Sequence, residues 1–132
     1  MRGVLDTSTV IEIFDRGDTS LLEDIMSRYS VLYIPWIVLY EYLYGHKYLG
    51  KNIIDRKKAV EKLGKIIGVT QDIILKAIEI DIDLRRKGMT IPFSDILIAA
   101  ITIVFNAELV TLDQKHYTRI PKLKIYLPIP HK

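Results

Sequence analysis

No cysteine occurs in these 132 residues. That excludes disulfides, thiolate metal sites and a cysteine nucleophile. Long hydrophobic runs are missing as well. Every apolar stretch falls short of the ~18–20 residues that cross a bilayer, so no membrane association is expected. The opening Met1-Arg2-Gly3-Val4-Leu5-Asp6 has no apolar signal region, which predicts a cytoplasmic location. No glycine-rich phosphate loop is present. Histidine is scarce: His46, His116 and His131 keep no ligand spacing and are expected to be surface or packing residues. An excess of one charge is also lacking, the net charge being only +3.

What is there is a core. Hydrophobic residues make up 49% of the chain, too many for disorder and enough for one domain spanning residues 1–132. Short β-prone runs at Gly3–Leu5, Val31–Ile34, Lys65–Val69, Leu109–Leu112 and Lys124–Leu127 predict five strands. Helical periodicity lies between them. One helix starts near Thr7-Ser8. A second opens on the capping box Ser20-Leu-Leu-Glu23, with Leu21, Leu22, Ile25 and Met26 inward. Others cover residues 36–48 and about 53–63. Thr70 caps a long helix with Ile73, Ile74, Ala77, Ile78 and Leu84 inward, closed by Arg85-Arg86-Lys87 and Gly88. Ser94 is the expected N-cap of the helix that carries Asp95. Strands alternating with helices mean an α/β fold with a parallel sheet.

Four carboxylates stand alone in uncharged surroundings: Asp6, Glu41, Asp95 and Asp113. Glu41 is the only charge from Tyr29 to Gly45, and Asp95 the only one from Gly88 to Ala107. An acid in an apolar run faces desolvation unless something pairs with it. Asp6 and Asp113 follow predicted strands, and parallel α/β sheets bind ligands beyond the carboxyl ends of their strands. Glu41 follows the second strand on its helix, and Asp95 opens a helix that can turn back to the same edge. Four carboxylates that meet repel one another, and a divalent cation relieves this. Hard oxygen donors suit Mg²⁺ or Mn²⁺, which supports phosphodiester hydrolysis without a catalytic His or Lys. With these four acids set aside, nineteen Lys and Arg face twelve acids, a basic surround of about +7 that suits a polyanion bound around a metal. Arg85, Arg86 and Lys87 are candidate phosphate contacts, although the helix dipole alone also accounts for them. Tyr40, Tyr42, Tyr44 and Tyr48 are able to stack on bases, or to divide between the core and a dimer interface.

Four segments resemble the PIN-domain nucleases, in particular the VapC-type toxins of toxin–antitoxin pairs. They are Val4-Leu-Asp-Thr-Ser-Thr-Val10, Leu39-Tyr-Glu-Tyr-Leu-Tyr-Gly45, Gly88-Met-Thr-Ile-Pro-Phe-Ser-Asp-Ile-Leu-Ile-Ala-Ala100 and Leu109-Val-Thr-Leu-Asp113. Each is weak alone, but they arrive in the family's order across the whole chain. The resemblance implies a three-layer fold with a five-stranded parallel sheet of order 3-2-1-4-5 flanked by helices. It implies that Asp6, Glu41, Asp95 and Asp113 are the acidic quartet, catalytic and metal-ligating, with Ser8 and Thr111 in support. The fourth acid is Asp here, where relatives can carry Asn. It further implies a Mg²⁺- or Mn²⁺-dependent ribonuclease, a homodimer, and an antitoxin protein as partner. The alternatives are a catalytically silent PIN scaffold that binds RNA or protein, and a housekeeping RNA-processing nuclease. A haloacid-dehalogenase-type phosphatase would need an acid where Ser8 stands.

Overall fold

A computed structural model describes residues 1–129; His131 lies outside the described residues. Five strands form one parallel sheet: β1 (Arg2–Leu5), β2 (Val31–Pro35), β3 (Lys65–Ile67), β4 (Glu108–Val110) and β5 (Ile125–Tyr126). Their order is β3-β2-β1-β4-β5, so the expected 3-2-1-4-5 arrangement is found. Strand β1 is central. Val4 pairs with Tyr33 of β2 on one side and Leu109 of β4 on the other. Val4, Leu5 and Leu109 have no exposed surface, as befits a parallel sheet covered on both faces. The strands β3, β4 and β5 are shorter than the apolar runs suggested.

Six α-helices flank the sheet: α1 (Thr7–Phe14), α2 (Thr19–Arg28), α3 (Trp36–Tyr48), α4 (Ile54–Leu63), α5 (Gln71–Arg86) and α6 (Phe93–Val104). The chain first winds outward from β1 through β2 to β3. It then crosses by α5 and α6 to β4 on the opposite side of β1. The order therefore reverses between β1 and β4. At such a reversal the connections leaving the two neighbouring strands diverge, which is where parallel α/β sheets form a ligand crevice. Helix α6 is apolar nearly all round, with every residue from Ile96 to Thr102 buried. It carries Asp95 in its first turn toward the sheet.

Three local expectations need correction. Helix α2 is capped by Asp18, whose carboxylate accepts from Leu21 N–H at 3.0 Å, not by Ser20. The phase moves with the cap, and Met26 is 57% exposed. In α5 the inward stripe is Ile73, Ala77, Ile80 and Leu84, while Ile74 and Ile78 face out. A stripe at three- and four-residue steps from Ile73 reaches Ile80, and Ile74 and Ile78 lie one residue, about 100°, off it. Helix α6 starts behind Pro92, whose fixed φ suits the entry and whose carbonyl accepts from Asp95 N–H (3.0 Å) and Ile96 N–H (3.2 Å); Ser94 lies inside the first turn and caps nothing. Elsewhere the expected caps are found. Thr70 Oγ1 accepts from Ile73 N–H at 3.3 Å. Gly88 (φ +72°) ends α5, with Met89 N–H bonding back to Leu84 O at 2.9 Å.

Candidate active site

Asp6 leaves the end of β1 and caps α1, and its side chain is only 5% exposed. Its Oδ1 accepts from Ser8 Oγ at 2.7 Å and from Thr9 N–H at 3.1 Å, with Thr9 Oγ1 also at 3.1 Å. Its Oδ2 accepts from Thr111 Oγ1 at 2.5 Å. Two of these hydroxyls reach across the crevice. Ser8 Oγ accepts from Leu112 N–H (3.2 Å), and Thr111 Oγ1 accepts from Asp113 N–H (3.0 Å). The end of β1 and the segment after β4 are thus stitched through the Asp6 carboxylate. Burial pushes the Asp6 carboxyl above its ordinary range, and the hydrogen bonds offset this only in part.

Asp6, Glu41, Asp95 and Asp113 line a single pocket of about 270 Å³, together with Thr7, Ser8, His116 and Tyr117. Glu41 comes from the second turn of α3, and its Oε1 accepts from Thr7 Oγ1 at 2.8 Å. Asp95 is held on both oxygens. Oδ2 lies 2.7 Å from His116 Nδ1, and Oδ1 accepts from Tyr117 Oη at 3.3 Å. Burial first, then the charges of Asp6 and Asp95, push the Tyr117 phenol well above its usual range, so it stays a donor. Asp113 follows β4 and turns its Oδ1 toward Lys115 N–H at 3.3 Å.

The donor set is four carboxylates around one opening, which is the hard-oxygen chemistry a hydrated divalent cation requires. Among the described residues, however, no three acidic or histidine side chains are drawn together as a ready-made metal cage. Asp6 and Asp95 are each held by hydrogen-bond donors on both oxygens. The residues therefore fit a cation whose coordination is completed by water, as Mg²⁺ and Mn²⁺ prefer.

The model of the PIN domain family matches residues 3–123. The chain belongs to the PIN-domain family. Within it the chain is of the VapC type. It is 33% identical to a ribonuclease VapC of Rickettsia bellii, over 98% of this chain and 97% of that one. A VapC ribonuclease of Pyrococcus furiosus is 30% identical over 85% of this chain and 74% of its own. Among solved structures, VapBC2 from Rickettsia felis, bound to a DNA fragment from its promoter, superposes with a TM-score of 0.84 at 24% identity. That match covers 98% of this chain and 100% of the other. VapBC-1 from nontypeable Haemophilus influenzae gives 0.83 at 21% identity, over 96% and 98% of the two chains. At these identities the structures establish the fold alone.

In this PIN domain the pocket includes residues that sequence reasoning passed over. His116 was expected to be a surface or packing histidine, yet it reaches Asp95. The only hint was its place three residues after Asp113, in the polar run Asp113-Gln-Lys-His116-Tyr117. Thr7 and Thr9 were hidden by their proximity to Asp6, where they read as ordinary helix-start residues. His46 keeps the packing role expected of it, with Nε2 2.9 Å from Asp15 Oδ2. The tyrosine row divides. Tyr42 is buried, while Tyr40, Tyr44 and Tyr48 are exposed and stack on one another with ring centroids 5.8 and 6.3 Å apart. Of the basic triplet ending α5, Arg85 pairs with Asp81 and Lys87 with Asp83, each at 3.0 Å.

Proposed function

We propose that this PIN domain is a Mg²⁺- or Mn²⁺-dependent endoribonuclease, the toxin of a VapBC-type pair. The observation that carries the reading is the arrival of Asp6, Glu41, Asp95 and Asp113 from four separate chain segments around one pocket. The names of the curated relatives, VapC ribonucleases, supply the substrate class.

In this reading Asp6 and Asp95 are the principal cation ligands, with Asp113 and Glu41 completing the site or holding its water. Ser8, Thr9 and Thr111 keep Asp6 aimed, and Thr7 does the same for Glu41. A bound divalent cation would supply a nucleophilic water and neutralise charge on the phosphate. The chain's own acids accept hydrogen bonds from that water and set its direction. Arg86 stands at the end of α5 beside the loop that leads to Asp95, with Arg85 and Lys87 next to it. The triplet is the proposed contact to RNA phosphates outside the pocket.

Two partners are proposed, an antitoxin protein and a second copy of the chain. Both suit a surface with unpartnered apolar groups: Tyr40, Tyr44 and Tyr48 on α3, and Ile74, Leu75 and Ile78 on α5. Among the described residues no helix is long and apolar enough to cross a membrane, and a cytoplasmic setting is proposed with the toxin role.

The deciding experiment is cleavage of single-stranded RNA by the purified protein with Mn²⁺. Activity should stop with EDTA. It should fall at least ~10²-fold in Asp6→Asn, the scale of losing one catalytic electrostatic contact. Cleavage that survives both treatments overturns the proposal.

A further inference from the structure

His116 reaches the acidic pocket from the connection between β4 and β5, far from Asp95 in sequence. Its Nδ1 stands 2.7 Å from Asp95 Oδ2, and its neighbour Tyr117 donates to Oδ1 at 3.3 Å. Two consecutive residues therefore grip both oxygens of one carboxylate. An ionised carboxylate only accepts, so Nδ1 carries the proton and donates. Tyr117 is 3% exposed and locked in the core. The His116 side chain is 33% exposed, so replacing it opens no large cavity. It lines the pocket shared by all four acids.

Those acids are not drawn into a cage beforehand. Cation affinity then depends on how many carboxylates are held still before the ion arrives. An Asp side chain without partners rotates about two torsions, and that freedom is lost on binding. A donor that fixes the carboxylate in advance removes this penalty, as outer hydrogen-bond partners do in metal sites generally.

We propose that His116 is a positioning residue: its Nδ1–H, with the Tyr117 hydroxyl, holds Asp95 in one orientation on the pocket wall and so strengthens the pocket's hold on a divalent cation. This rests on the metal reading above.

The test uses Mn²⁺ alone, titrated calorimetrically into the full chain without RNA and at one pH. Wild type is compared with His116→Ala, His116→Asn and His116→Gln. Asn places an amide N–H where Nδ1–H stands, and Gln places one where Nε2 stands. The Ala and Gln variants should bind Mn²⁺ about 10–100-fold more weakly. The Asn variant should stay close to wild type. Thermal melts of the metal-free proteins run alongside, and if Ala is poorly folded the contrast of Asn with Gln decides. Equal affinity across all four proteins overturns the proposal. So does tighter binding by Ala, which would make His116 a competitor of the cation. Equal weakening of Asn and Gln overturns the assignment to the Nδ1 donor. A wild-type protein that binds no Mn²⁺ overturns the metal reading itself, a separate and recognisable failure.

Discussion

Asp6 concentrates the chemistry of the site in one side chain. It is buried, that burial pushes its carboxyl above the ordinary range, and hydroxyl donors wrap it. Thr111 is the most consequential of these, because its single hydroxyl donates to Asp6 and accepts from the Asp113 backbone. Thr111→Val keeps the shape and removes both bonds. RNA cleavage by the variant should fall ~10–100-fold if Asp6 is the proposed cation ligand, since its aim is lost while the carboxylate remains. Stability should fall by about 1–3 kcal/mol, the cost of a buried polar group left short of a partner. Urea unfolding and kcat/KM on the same preparation check both. A variant as active as wild type would show that Asp6 does not need Thr111.

At the scale of the element, close approach decides more than propensity does. Gly3 sits in β1 with the Tyr29 ring packed against it. A Cβ there would lie 2.8 Å from Tyr29 Cγ. The ring has nowhere to go: its hydroxyl donates to Glu108 at 2.5 Å and receives Arg28 at 3.2 Å. Gly3→Ala should destabilise the fold by about 1–3 kcal/mol through overpacking, although alanine is otherwise acceptable in a strand. The effect should shrink when Tyr29 is changed to Leu. Strict additivity of the two changes in a double-mutant cycle would remove the clash from the explanation. Helix α5 teaches a related lesson. Its exposed face carries Ile74, Leu75, Ile78 and Ile82, so hydrophobicity alone did not mark the inward side.

Across the whole molecule, Asp15 clasps three helices. It ends α1, and its carboxylate accepts from Tyr42 Oη (2.8 Å) and Arg56 Nη1 (3.1 Å), with His46 Nε2 at 2.9 Å. Burial pushes the Asp15 carboxyl up, but the bonds from Tyr42 and His46, with the Arg56 charge, outweigh it and hold it below its usual range. An acid depressed in the folded state stabilises the fold above the ordinary carboxylate range. That stabilisation is lost as pH falls through the folded value. Asp15→Asn should therefore melt lower at neutral pH and lose less of its melting temperature on acidification than wild type does. Parallel acid limbs for the two proteins would show that Asp15 does not contribute to the acid transition.

Much of this protein is legible in its residues one stretch at a time. Alternating apolar runs and helical stripes announce a parallel α/β sheet, because burial on both faces leaves a continuous hydrophobic signature. The four acids are legible because each is isolated, and a charge in an apolar run is costly enough to stand out. Cap and phase are less so: Asp18 and Ser20 compete for one helix start, and Ile74 and Ile80 for one inward stripe, with only packing to choose between them. The contact of His116 and Tyr117 with Asp95 left no local trace. It spans 21 and 22 residues and exists because α6 begins, and β4 ends, at the same edge of the sheet. Local chemistry is written in neighbouring residues, whereas partnership across the pocket arises only when the order of strands reverses beside β1 and brings distant segments together.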